Sequence, residues 1–224
     1  MSLHLVKDTS AAIGVLDLQG GVYEHLDHLE RLGITGSRVK QEDDFNNLAG
    51  LIIPGGESTC LKRLLDIFGL KEIIRRHYQH GMKIWGTCAG AILLAKKVVN
   101  DEPCLGLIDI EIERNSFGSQ LDSFTAEAMI PEVAAEPIPL TFIRAPKILR
   151  AGKNVKILLE MDDYIAAAED ENTLITVFHP ELTGCLALHR YFAKKCGIKS
   201  TVSISGGVDA RWQIHSWTRL ARIV

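Results

Sequence analysis

Cys88 stands between two glycines in Gly86-Thr87-Cys88-Ala89-Gly90, where the apolar stretch "KIW" gives way to the helix-forming "AILLAKK". A G-x-C-x-G segment at a strand-to-helix joint has the form of a nucleophile elbow. The reactive side chain is presented on a sharp turn, and the glycines relieve the crowding around it. The unpaired N–H groups and positive dipole end of the following helix favour a thiolate there, and a nearby imidazolium would favour it further. The pentapeptide is short, and a buried cysteine beside two helix-packing glycines also fits it.

A thiol nucleophile needs a base, and the chain has eight histidines. His4 and His215 lie near the ends. His25, His28, His77 and His80 fall in helical stretches and are expected to be solvated; His189 lies in the last helix. His179 differs: it ends the apolar run "LITVF" and precedes Pro180 and Glu181. A proline biases the residue before it toward extended geometry, and residues i and i+2 of an extended chain point to one side. Glu181 would then hold one ring nitrogen and leave the other facing a thiolate, the logic of a nucleophile–base–orienter triad. The alternative is a strand-end histidine beside a solvated glutamate. A third element is "LIIPGGEST", where two glycines end a strand. A backbone N–H there, with that of Ala89, would make an oxyanion hole. A tight turn into a helix capped by Ser58 or Thr59 is the competing reading.

The elements that must position these residues alternate. "AIGVLDLQG" reads as a buried strand at about 12–18, and "GVYEHLDHLERLG" as a helix with Val22, Leu26, Leu29 and Leu32 at helical spacing and Gly33 as its stop. "GSRVK" and "LAGLIIPGG" read as strands, "ESTCLKRLLDIFG" and "LKEIIRRHYQHG" as helices, "MKIWGT" as a strand and "CAGAILLAKKV" as a helix. Alternation of this kind predicts an α/β fold: a three-layer sandwich with a mostly parallel central sheet and helices on both faces. After about residue 105 successive strands are added ("GLIDIEIERNSFG", "SQLDSFTAEAMI", "LTFIRAP", "NVKILLEMDD", "YIAAAEDE", "LITVFHPE"), and "CLALHRYFAKKCG" closes the chain as a helix. The reading is one domain over 12–197 and a tail over 198–224. In that tail Gly206-Gly207 marks a break before Arg211, Trp212, Trp217, Arg219 and Arg222. Catalytic groups in such sheets gather at the carboxyl ends of parallel strands.

Bulk properties exclude other classes. The 224 residues are 46% hydrophobic and 24% charged with net charge −3, which gives no reason to expect nucleic acid or an anionic membrane as partner. No apolar run approaches the roughly 18 residues of a membrane span, and the first residues lack a hydrophobic signal core, so a cytoplasmic location is expected. Five cysteines without a Cys-x-x-Cys pair argue against a disulfide framework or a zinc site.

With these residues assembled, the chain resembles the glutaminase-subunit family of pyridoxal 5′-phosphate synthase, within the class I glutamine amidotransferases. The blocks "GVLDLQG", "LIIPGGEST", "GTCAGAILLAK", "IERNSFGSQLDSF", "FIRAP" and "FHPELT" carry the resemblance from about 12 to 197. The elbow and His-x-Glu are shared among many amidotransferases, whereas the "ERNSFG" and "FIRAP" blocks are selective. The resemblance implies that Cys88 attacks the side-chain amide of L-glutamine, with His179 as proton shuttle and Glu181 as its orienter. It implies Gly56, Glu57, Ser58, Arg114, Ile143 and Arg144 as substrate contacts, Gly55 and Ala89 as oxyanion-hole positions, and Gln19 as a partner-linked position. It also implies a synthase-subunit partner, many copies of which form a ring with glutaminases outside, and an oxyanion hole incomplete until docking. No cofactor or metal is implied. The sequence departs from the family at Asp17, commonly Gly, at Cys60, commonly Thr, and at Gly184-Cys185, where acidic residues are usual. A glutaminase for another synthase, a catalytically silent regulatory subunit, and a cysteine hydrolase or chaperone on a related fold are the alternatives. The "RNSFG" and "FIRAP" blocks, the intact triad, and Ala rather than His after Cys88 weigh against these in turn.

Overall fold

The structure is a computed structural model that describes residues 12–114 and 123–202. Part of the "IERNSFGSQLDSF" block and the glycine pair, arginines and tryptophans of the tail lie outside the described residues. In chain order the strands are β1 (Ala12–Leu16), β2 (Gly36–Val39), β3 (Leu48–Ile53), β4 (Lys83–Thr87), β5 (Ala95–Val98), β6 (Ile108–Glu113), β7 (Ser123–Ala128), β8 (Ile138–Ile143), β9 (Lys147–Ala151), β10 (Lys156–Met161), β11 (Tyr164–Glu169) and β12 (Thr173–Thr176). The helices are α1 (Val22–Arg31), α2 (Ser58–Ile67), α3 (Leu70–Gln79), α4 (Ala89–Leu94) and α5 (Ala187–Lys195).

Strands β2-β1-β3-β4-β12 lie side by side and all run parallel. Beyond β12 the sheet turns antiparallel through β11 and β9 to β6, on which the edge strand β5 pairs parallel; β10 lies on β11, and β7 and β8 form a separate hairpin. The inner parallel strands are unbroken apolar runs because both faces are covered. On β4, Trp85 meets His25 of α1 and His189 and Phe192 of α5, while the neighbouring Gly86 meets Gly90 and Leu94 of α4. The α/β sandwich with added strands in its second half is therefore the observed architecture.

Parallel register decides where the chemistry gathers. Ile53 pairs with Gly86, and Thr87 with Thr176, so the carboxyl ends of β3, β4 and β12 finish level. The chain after each strand then leaves from one rim, which brings together residues 54–57, Cys88 and His179.

Three local expectations need correction. Ala95–Val98 is not the last turn of a helix but the edge strand β5, with Lys96 and Lys97 exposed. Six helical residues already carry Leu93 and Leu94 into the core, and pairing with β6 takes the chain onward. The cap of α2 is neither Ser58 nor Thr59 but Glu57, whose carboxylate accepts from the Thr59 and Cys60 amides at 3.0 and 2.6 Å. His25 and His28 are not solvated: both are fully buried, with Val22 and Leu29, on the inner face of α1. Their spacing fits that face, and what packs against it makes room for imidazoles. His77 is half-buried and His80 exposed.

The glycines of the elbow have a packing reason. A methyl group on Gly90 would lie 2.0 Å from the Ile53 carbonyl oxygen, and one on Gly86 would lie 2.7 Å from the Gly90 carbonyl. The start of α4 rests directly on the end of β3, backbone against backbone. Gly90→Ala is expected to destabilise the fold by about 3 kcal/mol or more, since neither contact atom is a movable side chain. That corresponds to a fall in melting temperature of roughly 6–12 °C for a domain of this size. Thermal unfolding measures it, and an unchanged midpoint would mean that α4 can lift off β3 at little cost.

Candidate active site

Cys88 occupies the turn between β4 and α4 with φ 48° and ψ −106°. A side chain held at positive φ is costly, and such strain is stored where a nucleophile must be aimed. The turn is tied down by the Cys88 amide, which donates to the Thr176 carbonyl at 2.8 Å. The sulfur lies 3.9 Å from the Ile143 carbonyl oxygen, and Cys88 and the His179 ring line the same cavity. Ala89 is the first residue of α4, so its N–H has no acceptor within the helix.

His179 and Glu181 are joined as expected, with Nδ1 and Oε1 at 2.8 Å, but by different local geometry. Pro180–Leu182 is a 3₁₀ turn and not an extended segment, with His179 as its non-helical cap at φ −108° and ψ 85°. Proline at the first position suits the turn, because its missing N–H would have had no partner there. The His179 amide donates to the Thr141 carbonyl at 2.8 Å, which fastens the end of β8 to this turn, and Ile143 and Arg144 line the same cavity as His179.

Burial works against charge on His179, but Glu181 and Cys88 beside it outweigh this and hold the ring well above the ordinary histidine value. Burial also opposes ionisation of Glu181. The His179 ring prevails and brings the carboxyl down to about 2. The two groups therefore support a carboxylate–imidazolium pair next to the sulfur.

A cavity of about 310 Å³ opens over the sulfur. Gly56, Glu57 and Ser58 line one side, Ile143, Arg144 and Pro146 another, and Cys88, Ala89, Ile92, His179 and Arg114 complete it. Arg114 donates to Asp101 at 2.8 Å and Thr59 at 2.9 Å, and reaches Glu57 at 3.5 Å. Arg144 is held at φ 43°. Two guanidiniums and one carboxylate around a small cavity suit a zwitterion of amino-acid size.

The other predicted positions fall close by. A methyl on Gly55 would lie 2.4 Å from His179 Cε1 and 3.3 Å from Cys88 Cβ, so this backbone abuts both side chains. Its N–H, however, is already engaged, donating to Thr87 Oγ1 at 3.0 Å. Gln19 accepts from the Glu57 amide through Oε1 at 3.1 Å and so braces the same turn. Asp17 does not disturb it: its carboxylate is bonded to Arg38 and lies 3.5 Å from Lys40, both beside β1. Nothing in the sequence marks Thr87, because no local pattern distinguishes a hydroxyl that occupies an amide from one that faces the core.

Among the described residues no group of three or more histidine, cysteine, aspartate or glutamate side chains is arranged to hold a metal ion, and no helix is long and apolar enough to cross a membrane.

Residues 15–198 match the model of the SNO glutamine amidotransferase family, and the chain belongs to that family. Its fold agrees with that of a solved glutamine amidotransferase, 38% identical with a TM-score of 0.79, which covers 84% of this chain and 100% of that one. More particularly, the chain is 62% identical over 210 residues to the pyridoxal 5′-phosphate synthase subunit PdxT of Syntrophus aciditrophicus (strain SB), across 93% of this chain and 94% of that protein. The PdxT subunit of Clostridium botulinum (strain Loch Maree / Type A3) is 48% identical over 185 residues, covering 82% and 96%.

The buried histidines give the site a pH-dependent foundation. Burial outweighs the pull of Glu181 and brings His25 to about 4; burial, then Arg31, lowers His28; burial, then His28 and His25, takes His189 well down. All three folded values lie below the ordinary 6.5, so the unfolded chain takes up these protons first. Stability is intact above about pH 6.5 and is lost as pH falls, by ~3 kcal/mol from His25 alone near pH 4. His179 is shifted the other way. Its contribution is fully present below 6.5 and is lost only as pH rises through its folded value, so it adds no slope in the acid range. A urea midpoint that drops steadily from pH 7 to pH 5 is the expected result; a flat midpoint would mean that the cluster is already protonated in the native state.

Proposed function

We propose that this chain hydrolyses L-glutamine to glutamate and ammonia and acts as the glutaminase subunit of a pyridoxal 5′-phosphate synthase. The observation that carries the reading is Cys88 and His179 in a cavity lined by two arginines and a glutamate, with the buried Glu181 bonded to the ring from behind. The likeness to PdxT subunits supplies the setting. Cys88 Sγ attacks the carboxamide carbon, with its proton held by His179. As the tetrahedral adduct collapses, the C–N bond breaks, His179 protonates the leaving nitrogen, and a glutamyl thioester remains. Water, deprotonated by the same ring, attacks the thioester. Glutamate leaves and the thiol is restored, so the sum is glutamine plus water to glutamate plus ammonia.

Glu181 keeps the ring oriented through Nδ1. Arg114 and Arg144 suit the α-carboxylate, and Gly56, Glu57, Ser58 and Ile143 complete the substrate contacts. The Ala89 N–H suits the developing oxyanion, with that of Gly55 as second donor. Because the latter amide is bonded to Thr87, the turn after β3 must shift before the hole is complete. Gln19 braces that turn and is the position through which a docked synthase subunit would act. Assembly around a ring of synthase subunits follows the same reading.

The test is glutamate release with and without a pyridoxal 5′-phosphate synthase subunit. Strong stimulation by that subunit supports the proposal. Equal or greater stimulation by an unrelated ammonia-using synthase would reassign the partner, and no release under either condition would leave a silent subunit.

A further inference from the structure

Behind the triad lies a second set of imidazoles that the mechanism above does not use. Glu181 Oε1 is taken by His179, but its other oxygen, Oε2, is buried and has no hydrogen-bond partner among the described residues. It faces Nε2 of His25 across 3.6 Å, and that nitrogen is likewise buried and unpaired. On the far side of the ring, His25 Nδ1 and His189 Nε2 are 2.8 Å apart, while His189 Nδ1 has no partner. His28 fixes the same region, its Nε2 lying 2.9 Å from the carbonyl oxygen of Thr183, just past the turn that carries Glu181.

The tautomers can be worked out from these contacts. A neutral imidazole has one N–H, and the His25–His189 bond needs one donor. If His25 donated from Nδ1, its Nε2 lone pair would face a carboxylate, and His189 would bury an N–H with nothing to receive it. If His189 donates from Nε2, His25 carries its proton on Nε2, aimed at Glu181. Only an acceptor lone pair on His189 is then left over, the less costly orphan. The second arrangement is therefore preferred, and it closes the 3.6 Å approach to a hydrogen bond with a small shift.

We infer that His25 is a positioning residue of the triad, donating from Nε2 to Glu181 Oε2 with its tautomer set by His189. It would fix both carboxylate oxygens, so that Glu181 cannot rotate away from His179 during turnover. Burial keeps His25 neutral at working pH, which this role requires. The kinetic consequence rests on the glutaminase reading; the hydrogen bond itself does not.

Two measurements on the full chain test it. Long-range proton–nitrogen correlation on histidine-labelled protein at pH 7.5 reads the tautomer directly: a proton on Nε2 of His25 is expected, and one on Nδ1 overturns the inference. Glutamate release in complex with the synthase subunit then compares His25→Leu with His25→Gln, whose amide N–H sits where Nε2 does. The leucine variant is expected to lose about 10- to 100-fold in kcat with KM within about twofold, because the buried carboxylate loses a donor. The glutamine variant should recover to within about fivefold of the parent. A glutamine variant as slow as the leucine one, or a leucine variant at full rate, overturns the inference. Should the leucine variant not fold, the tautomer and the rate of His25→Gln still decide. A wild-type chain without turnover would defeat the glutaminase reading and leave the tautomer test standing.

Discussion

Cys88→Ala is expected to reduce glutamate release in the synthase complex by on the order of 10⁴-fold or more. The reason is covalent: without sulfur no thioester forms, and neither His179 nor the arginines can replace a nucleophile. The fold should survive. Cys88 is 6% exposed and its backbone strain comes from φ 48°, which alanine shares. Binding of glutamine should also survive, since the charged groups around the cavity remain. Glutamate production and glutamine affinity, measured together, separate loss of chemistry from loss of the site. Residual turnover above a few per cent would mean that Cys88 is not the nucleophile.

Glu181→Gln is expected to lower kcat by about 10³- to 10⁴-fold with little change in KM, the scale seen when the orienting carboxylate of a triad becomes an amide. Two effects combine. The amide can turn its NH2 toward Nδ1 and force the wrong tautomer, and it removes the charge that offsets the burial of His179. With Glu181 neutral, burial is opposed by Cys88 alone, so the His179 titration should move down. The acid limb of the kcat profile and the His179 resonance should move down together. A variant with near-parental kcat would sink the assignment of Glu181.

Much of this site was legible before any coordinates. The G-x-C-x-G segment lay at a predicted strand-to-helix joint, and a strand-end histidine stood two residues from a glutamate. Both signals are local, set by backbone sterics and short spacing, and the structure keeps both. His179 and Glu181 nonetheless meet through a 3₁₀ turn and not through the extended chain that Pro180 predicts. β5 is not legible in the sequence for a similar cause, since a helix of six residues running into an edge strand has no periodicity of its own.

What the sequence determined by itself is the set of reactive groups and the elements that carry them: apolar runs that form parallel strands, turns that end them on one rim, and the types of residue left there. What only the tertiary structure decided is which polar groups face one another. His25 and His189 are 164 positions apart, and whether a histidine on an amphipathic helix meets water or a buried carboxylate depends on the surface packed against it. The Gly55 amide is likewise engaged because Thr87, on the neighbouring strand, ends level with it. Such pairings follow from register and packing between distant segments, which no local pattern encodes.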